Sequence, residues 1–187
     1  AYAVSEGFDS NNILNGLQII DLRYLPDSAP TKFYTGDGVI VNQLNTAHTV
    51  TAAGETVFIN GHNIGALGNG VIFLNVSDPW NPVFTGSINN NYCHDSYVRD
   101  NYIFTSDIYA GQFSVYNITN QSSPVLEATQ LTPGLFNHNT WLSDDGNTIY
   151  AADESMGEPL ASFDISDLGN ISLLDTFFNG NFSANEV

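Results

Sequence analysis

Apolar and polar positions alternate along this chain in short runs, and the runs recur in a fixed order. AYAVSE (1–6), TVFINGH (56–62), YIFTSDIY (102–109) and IYAADES (149–155) each read as an aromatic-rich strand entering a polar turn. Each is followed by a second alternating strand that closes on Asp or Asn: GLQIIDL, GVIFLNVSD, GQFSVYNIT and PLASFDISD. The closing residues Asp21, Asn75, Asn117 and Asp164 are 54, 42 and 47 positions apart. A turn and another short strand come next, as TKFYTG, VFTG, VLEA and ISLLDTF. Three copies carry a further strand in front: HTVTAAG from His48, HDSYVRD from His94 and HNTWLSD from His138. Helical periodicity is not sustained anywhere, whereas period-2 alternation is, and that period puts alternate side chains on opposite faces of a strand.

The repeating unit is therefore four short antiparallel strands, A to D, in about 45 residues, the pattern of a propeller blade. The predicted fold is all-β, a β-propeller of four-stranded antiparallel blades forming a single region over 1–187. Its blades fall at approximately 1–45 (partial), 46–91, 92–135 and 136–187. A β-sandwich of about 15 strands is the rival, but it gives no reason for His48, His94 and His138 to share a phase. The first blade begins at strand B, and about four blades is the lower limit for a closed propeller. The chain is thus expected to be a mature fragment, a contiguous portion of a larger propeller.

Charge narrows the function classes. Arg23, Lys32 and Arg99 are the only Lys or Arg residues, against 20 Asp and Glu, for a net charge of −17. Such a field repels nucleic acid and anionic lipid, so a nucleic-acid partner is excluded. Apolar runs long enough to insert in a membrane are absent. Cys93 is alone, which leaves neither a disulfide framework nor a thiolate zinc cluster. An Asn-rich, Lys-poor chain of this kind fits a bacterial exported protein, extracellular or on the cell surface.

The repeats resemble those of LVIVD-repeat propellers, in particular the bacterial choice-of-anchor B proteins. The resemblance rests on GLQIIDLRYL, AHTV around His48, GVIFLNVSDPWNPVFTGSI, HDSYVR, SDIYAG, HNTWLSDDG, and DES with PLASFDISD, which together span nearly the whole chain. It implies an exported, surface-attached propeller and says little about chemistry.

The chemistry-bearing pattern is the row of blade-opening histidines. If strand A is innermost, His48, His94 and His138 converge near one mouth of a central channel. Asp95 and Asn139 lie beside two of them, and Asp107, Asp153 and Glu154 sit where strand B turns into C. Imidazoles with carboxylates suit zinc, or manganese or iron where oxygen ligands dominate. The competing reading is structural: each His hydrogen-bonds a turn aspartate, His94 with Asp107 and His138 with Asp153, stapling its blade for about 1 kcal/mol. Acidic turns at Asp37, Asp78, Asp144–Asp145 and Asp164–Asp167 would suit calcium, although such side chains commonly cap turns. Trp141 is expected in the core, and Trp80 is a candidate anchor for a protein or glycan partner at the cell surface. Phe58, Phe73, Phe104, Tyr150 and Phe163 recur at blade positions and are expected to pack. Ser96 and Cys93 beside His94 do not make a nucleophile–base pair, because neighbouring strand residues face opposite ways. The expected function is a binding or scaffold module with a His-lined metal or ligand site. The alternative is a metal-dependent hydrolase or lyase using the same cluster.

Overall fold

The computed structural model describes residues 1–7 and 15–178. Its regular structure is fifteen strands and four single 3-10 turns, with no α-helix among the described residues. The strands form one three-stranded and three four-stranded antiparallel sheets. The first sheet joins β1 (Tyr2–Ala3), β2 (Leu17–Ile20) and β3 (Thr31–Tyr34). The second joins β4 (Thr49–Ala53), β5 (Thr56–Asn60), β6 (Val71–Asn75) and β7 (Val83–Ile88). The third holds β8 (Asp95–Arg99), β9 (Tyr102–Asp107), β10 (Gln112–Asn117) and β11 (Val125–Leu131). The fourth holds β12 (Asn137–Leu142), β13 (Thr148–Asp153), β14 (Leu160–Asp164) and β15 (Ser172–Phe177). Every sheet is a simple up-and-down meander in chain order, the form of a propeller blade.

Local sequence explains the meanders. The β4–β5 and β8–β9 hairpins turn on two residues, with Gly54 at φ 55° and Asp100 at φ 53°. A positive φ at the first turn position matches the twist of the flanking strands, and Gly and Asp are among the residues that tolerate it.

The chain folds as two compact units, Ala1–Asn90 and a second beginning at Asn91. In the first, Leu17, Ile19, Tyr34, Val57, Ile59, Ile72 and Leu74 form the core. In the second, Phe104, Phe113 and Val115 of one sheet meet Leu142, Ile149, Ala151, Ala161 and Phe163 of the other. The rings of Phe113 and Phe163, 0 % and 2 % exposed, meet edge-on with centroids 5.4 Å apart. Each fully buried ring of this size contributes about 1.5–3 kcal/mol from water exclusion.

Two aromatic expectations are corrected. Trp141 is 66 % exposed, because Thr140 and Leu142 occupy the inward positions of β12 and alternation turns the indole outward. It lies edge-on against Tyr97, 4.6 Å between centroids. Tyr150 is 41 % exposed for the same reason, lying between Ile149 and Ala151, which are both buried.

One irregularity recurs. Pairing between the third and fourth strands slips by one residue after Phe73–Gly86, after Val115–Ala128 and after Ser162–Asp175. Thr85, Glu127 and Leu174 are the residues left without an opposite number. Such bulges bend the strand that carries them and increase its twist.

Candidate metal centre

In the second unit β12 packs against β8 and β9, which brings the openings of two sheets together. His94 immediately precedes β8, and its N–H donates to the Ser106 carbonyl of β9 at 2.8 Å. His138 lies within β12 at a bulge: Asn137 faces Asp153 and Asn139 faces Ala152, so His138 has no residue opposite. A bulge re-aims the side chain it carries. The two imidazoles lie with centroids 4.4 Å apart at 46°. Glu154 follows β13, anchored by its N–H to the Phe136 carbonyl at 2.9 Å.

His94 Nδ1 stands 3.0 Å from the backbone carbonyl oxygen of His138. A carbonyl only accepts, so the His94 Nδ1 carries a proton in this contact. The His94 Nε2 lies 3.8 Å from Glu154 Oε2. One ligand atom from each of His94, His138 and Glu154 falls within 4.8 Å of the others, and the group could hold a metal ion. His138 Nδ1 is buried with no hydrogen-bond partner among the described residues, an unmet requirement that a ligated or otherwise occupied site would explain. Metal–ligand bonds of about 2.1 Å would draw these side chains inward by about 1 Å.

The carboxylates required for stapling are committed elsewhere. Asp153 is 3 % exposed and accepts from Thr132 Oγ1 at 2.5 Å, Gly134 N–H at 2.8 Å and Phe136 N–H at 3.1 Å. This clamp shapes the loop between β11 and β12 and holds Leu135 at φ 53°, an unfavourable value for a side chain of that bulk. Asp107 accepts from Ser114 Oγ at 2.5 Å, Asn91 Nδ2 at 3.0 Å and Gln112 Nε2 at 3.4 Å. Burial is the main influence on its carboxyl and raises its pKa above the ordinary aspartate value. The Cys93 thiol donates to the Asp95 main-chain carbonyl at 3.0 Å. The Cys93 thiol is pushed well up by burial and then by Asp107 and Asp95, which suits a protonated structural side chain.

His48 belongs to the first unit, where its Nδ1 pairs with Glu6 at 2.6 Å. Of the candidate ligands, the structure thus groups His94, His138 and Glu154. Asp107 and Asp153 sit in their own hydrogen-bond nests. Trp80, also in the first unit, borders a cleft of about 720 Å³ together with Tyr2, Asp21, Arg23 and Asp78. The Lys32 amino group lies over its ring, 5.7 Å from the centroid. The acidic turns at Asp78, Asp145, Asp164 and Asp167 are capped by backbone N–H groups of residues two further on, which is ordinary turn chemistry.

Two features escaped the sequence reading. The bulge that turns His138 is one. The other is a group of touching aromatic rings, Tyr92, Tyr109 and Phe136. The positions of Tyr92 and Phe136, two residues ahead of His94 and His138, were the available signal.

A β-propeller of antiparallel blades, carrying two histidines where strands begin and a glutamate where one ends, is the class that fold and site define. No protein-family model matches the chain, and no curated protein matches it in sequence. Solved structures match it in fold. One is a candidate 6-phosphogluconolactonase of Bacteroides uniformis, 11 % identical, TM-score 0.62, covering 92 % of this chain and 56 % of that one. A second is a candidate 6-phosphogluconolactonase of Bacteroides fragilis, 11 % identical, TM-score 0.62, covering 89 % of this chain and 52 % of that one. A hypothetical selenium-binding protein of Sulfolobus tokodaii is 14 % identical, TM-score 0.65, covering 95 % and 50 %. The chain spans about half the length of these structures. At such identities the likeness is one of fold.

The expectation of a binding or scaffold module is corrected by these findings. Two of the matched structures are of candidate lactonases. The turn aspartates that would staple the blades are satisfied by other donors, while His94 and His138 converge on Glu154. The hydrolase alternative fits both observations better.

Proposed function

We propose that the chain is part of a metal-dependent hydrolase acting on carboxylic esters or lactones through His94, His138 and Glu154. The observation that carries the reading is the convergence of one ligand atom from each of these three side chains within 4.8 Å, with the His94 ring oriented by the His138 carbonyl. Two imidazoles and one carboxylate form a ligand set used by catalytic zinc sites, which keep a fourth position for water. Zinc bound there would lower the pKa of water toward neutrality and polarise an acyl carbonyl. In the reaction the water oxygen bonds to the acyl carbon, the acyl carbon–oxygen bond breaks, and the proton passes to the departing oxygen. His94 is held for its role by the His138 carbonyl, and Glu154 by the Phe136 carbonyl. The lactonase names of two fold relatives support the reaction class. The blade motifs support membership of the LVIVD-repeat group and, with the acidic, Lys-poor composition, export from the cell; both belong to the same proposal.

Elemental analysis of purified protein, joined to hydrolysis of glucono-δ-lactone with and without chelator, tests the reading. One zinc per chain is expected, with activity lost on chelation, restored by zinc, and lost together with the metal in His94→Ala. Lactone hydrolysis unaffected by chelation, or protein with no stoichiometric metal, overturns it.

A further inference from the structure

We infer that this site, on the hydrolase reading above, takes an uncharged ester or lactone whose ring stacks on Tyr109. Three rings adjoin one another: Tyr92 and Phe136 on the segments that lead into His94 and His138, and Tyr109, which touches both, on the turn between β9 and β10. Tyr92 and Tyr109 lie with centroids 5.2 Å apart at 50°, and Tyr109 and Phe136 with centroids 6.0 Å apart at 62°. Tyr92 is two residues ahead of His94, and Phe136 is two residues ahead of His138. Both backbone groups of Phe136 are tied to the cluster's own segment: its carbonyl accepts the Glu154 N–H and its N–H donates to Asp153. Phe136 and the Glu154 segment are thus held by one set of bonds.

Burial distinguishes this group from packing. The core rings Phe113 and Phe163 are almost completely enclosed, whereas Tyr109 is 73 % exposed although two aromatic rings contact it. It stands on the short turn Ile108–Ala110, where buried Ile108 anchors the backbone and leaves the ring outside. A fixed, open aromatic face with a phenolic hydroxyl suits a ring that has one apolar side and a polar edge.

Charge decides against an anionic substrate. From Asn91 onward the sequence contains one Lys or Arg, Arg99. Its guanidinium is committed to the carbonyls of Ser143 and Asp144, at 2.8 and 2.6 Å. Among the described residues of this unit a phosphate or carboxylate thus finds no uncommitted fork-shaped partner, and it would meet the field of a strongly acidic chain.

The test compares phenyl acetate with ethyl acetate, and glucono-δ-lactone with its 6-phosphate, on zinc-loaded wild type and Tyr109→Ala. Because Tyr109 is exposed, the variant is expected to fold and to keep its zinc. The expected result is a KM for phenyl acetate raised about threefold to tenfold, with kcat held. The phenyl-over-ethyl preference falls with it, and wild type uses the unphosphorylated lactone at least tenfold more efficiently. Equal losses for phenyl and ethyl acetate, or a preference for the 6-phosphate, overturn the substrate class while metal-dependent hydrolysis stands. If no ester or lactone is hydrolysed, the hydrolase reading fails by itself. Binding of acetanilide, a non-ionic ring ligand, followed by NMR then decides the ring subsite: Tyr109-dependent binding retains it and its absence overturns it.

Discussion

His94 donates its Nδ1 proton to the main-chain carbonyl of His138, so the strand that carries one imidazole sets the tautomer of the other. The carbonyl is available because His138 sits at a bulge in β12, outside the regular ladder. The orientation of the His94 ring therefore comes from a main-chain contact. Hydrogen bonds behind a ligand fix its ring and raise its basicity.

Glu154→Gln replaces the anionic member of the group by a neutral amide of the same shape. Zinc affinity is expected to fall at least about a hundredfold, at the top of the range seen for losing supporting interactions around a metal. Competition with a chromophoric chelator measures it, and the fold, followed by circular dichroism, is expected to be unchanged because Glu154 is partly exposed.

Asp153→Asn disrupts the clamp on the β11–β12 loop, since an amide nitrogen turned toward Gly134 N–H or Phe136 N–H repels where the carboxylate accepted. A loss of about 2–4 kcal/mol in unfolding free energy is expected from breaking a buried network. Asp153 acts as a positioning residue for Glu154 and Phe136, so zinc affinity of the folded variant should drop about tenfold. A purely structural role would lower stability and leave that affinity unchanged.

His62 gives the first unit a pH dependence. It is fully buried, its Nδ1 accepts from the Ile64 N–H at 3.1 Å, and burial lowers its pKa from 6.5 to about 4. The unfolded chain takes up the proton first as pH falls. The stabilising contribution is thus complete above pH 6.5, declines below it, and is spent near pH 4. The full span is worth about 3 kcal/mol. Asp107, with its raised pKa, acts in the opposite sense, gaining as pH falls. Denaturant titrations from pH 7 to 4 should show His62→Leu losing less stability than wild type over that interval; parallel curves would refute the assignment.

Phe113→Ala and Trp141→Ala separate buried from exposed aromatic positions. The first should cost about 3–5 kcal/mol by leaving a cavity beside Phe163. The second should cost under about 1 kcal/mol, since the indole loses only its edge contact with Tyr97. Thermal and urea unfolding of the two variants makes the comparison.

Most of the fold was legible because blade repetition prints the same alternation several times, and each copy supports the others. The matching phase of His94 and His138 was legible too, and it placed both at strand openings. What the alternation could not supply was the slip at His138, which depends on pairing with β13 across the hairpin and leaves no residue signature in HNTW. The choice between Asp153 and Glu154 was within reach, because neighbours at a strand end point oppositely and only one can meet the histidines. Trp141 was misplaced by size: its flanks, Thr140 and Leu142, already marked the inward positions. Tyr109 was read only as part of an aromatic-rich strand, since exposure belongs to the folded loop and not to the residue.

The one-residue slip shared by the outer strands of the second, third and fourth sheets has a practical corollary for anyone editing this chain. The register skips Thr85, Glu127 and Leu174, so removing one of them would shorten a blade by one position while the three inner strands keep their partners, at the cost, for Thr85, of its hydroxyl bond to the Phe73 carbonyl. Deleting them would straighten the outer ribbons and flatten their coil, turning the curvature of each blade into an adjustable quantity.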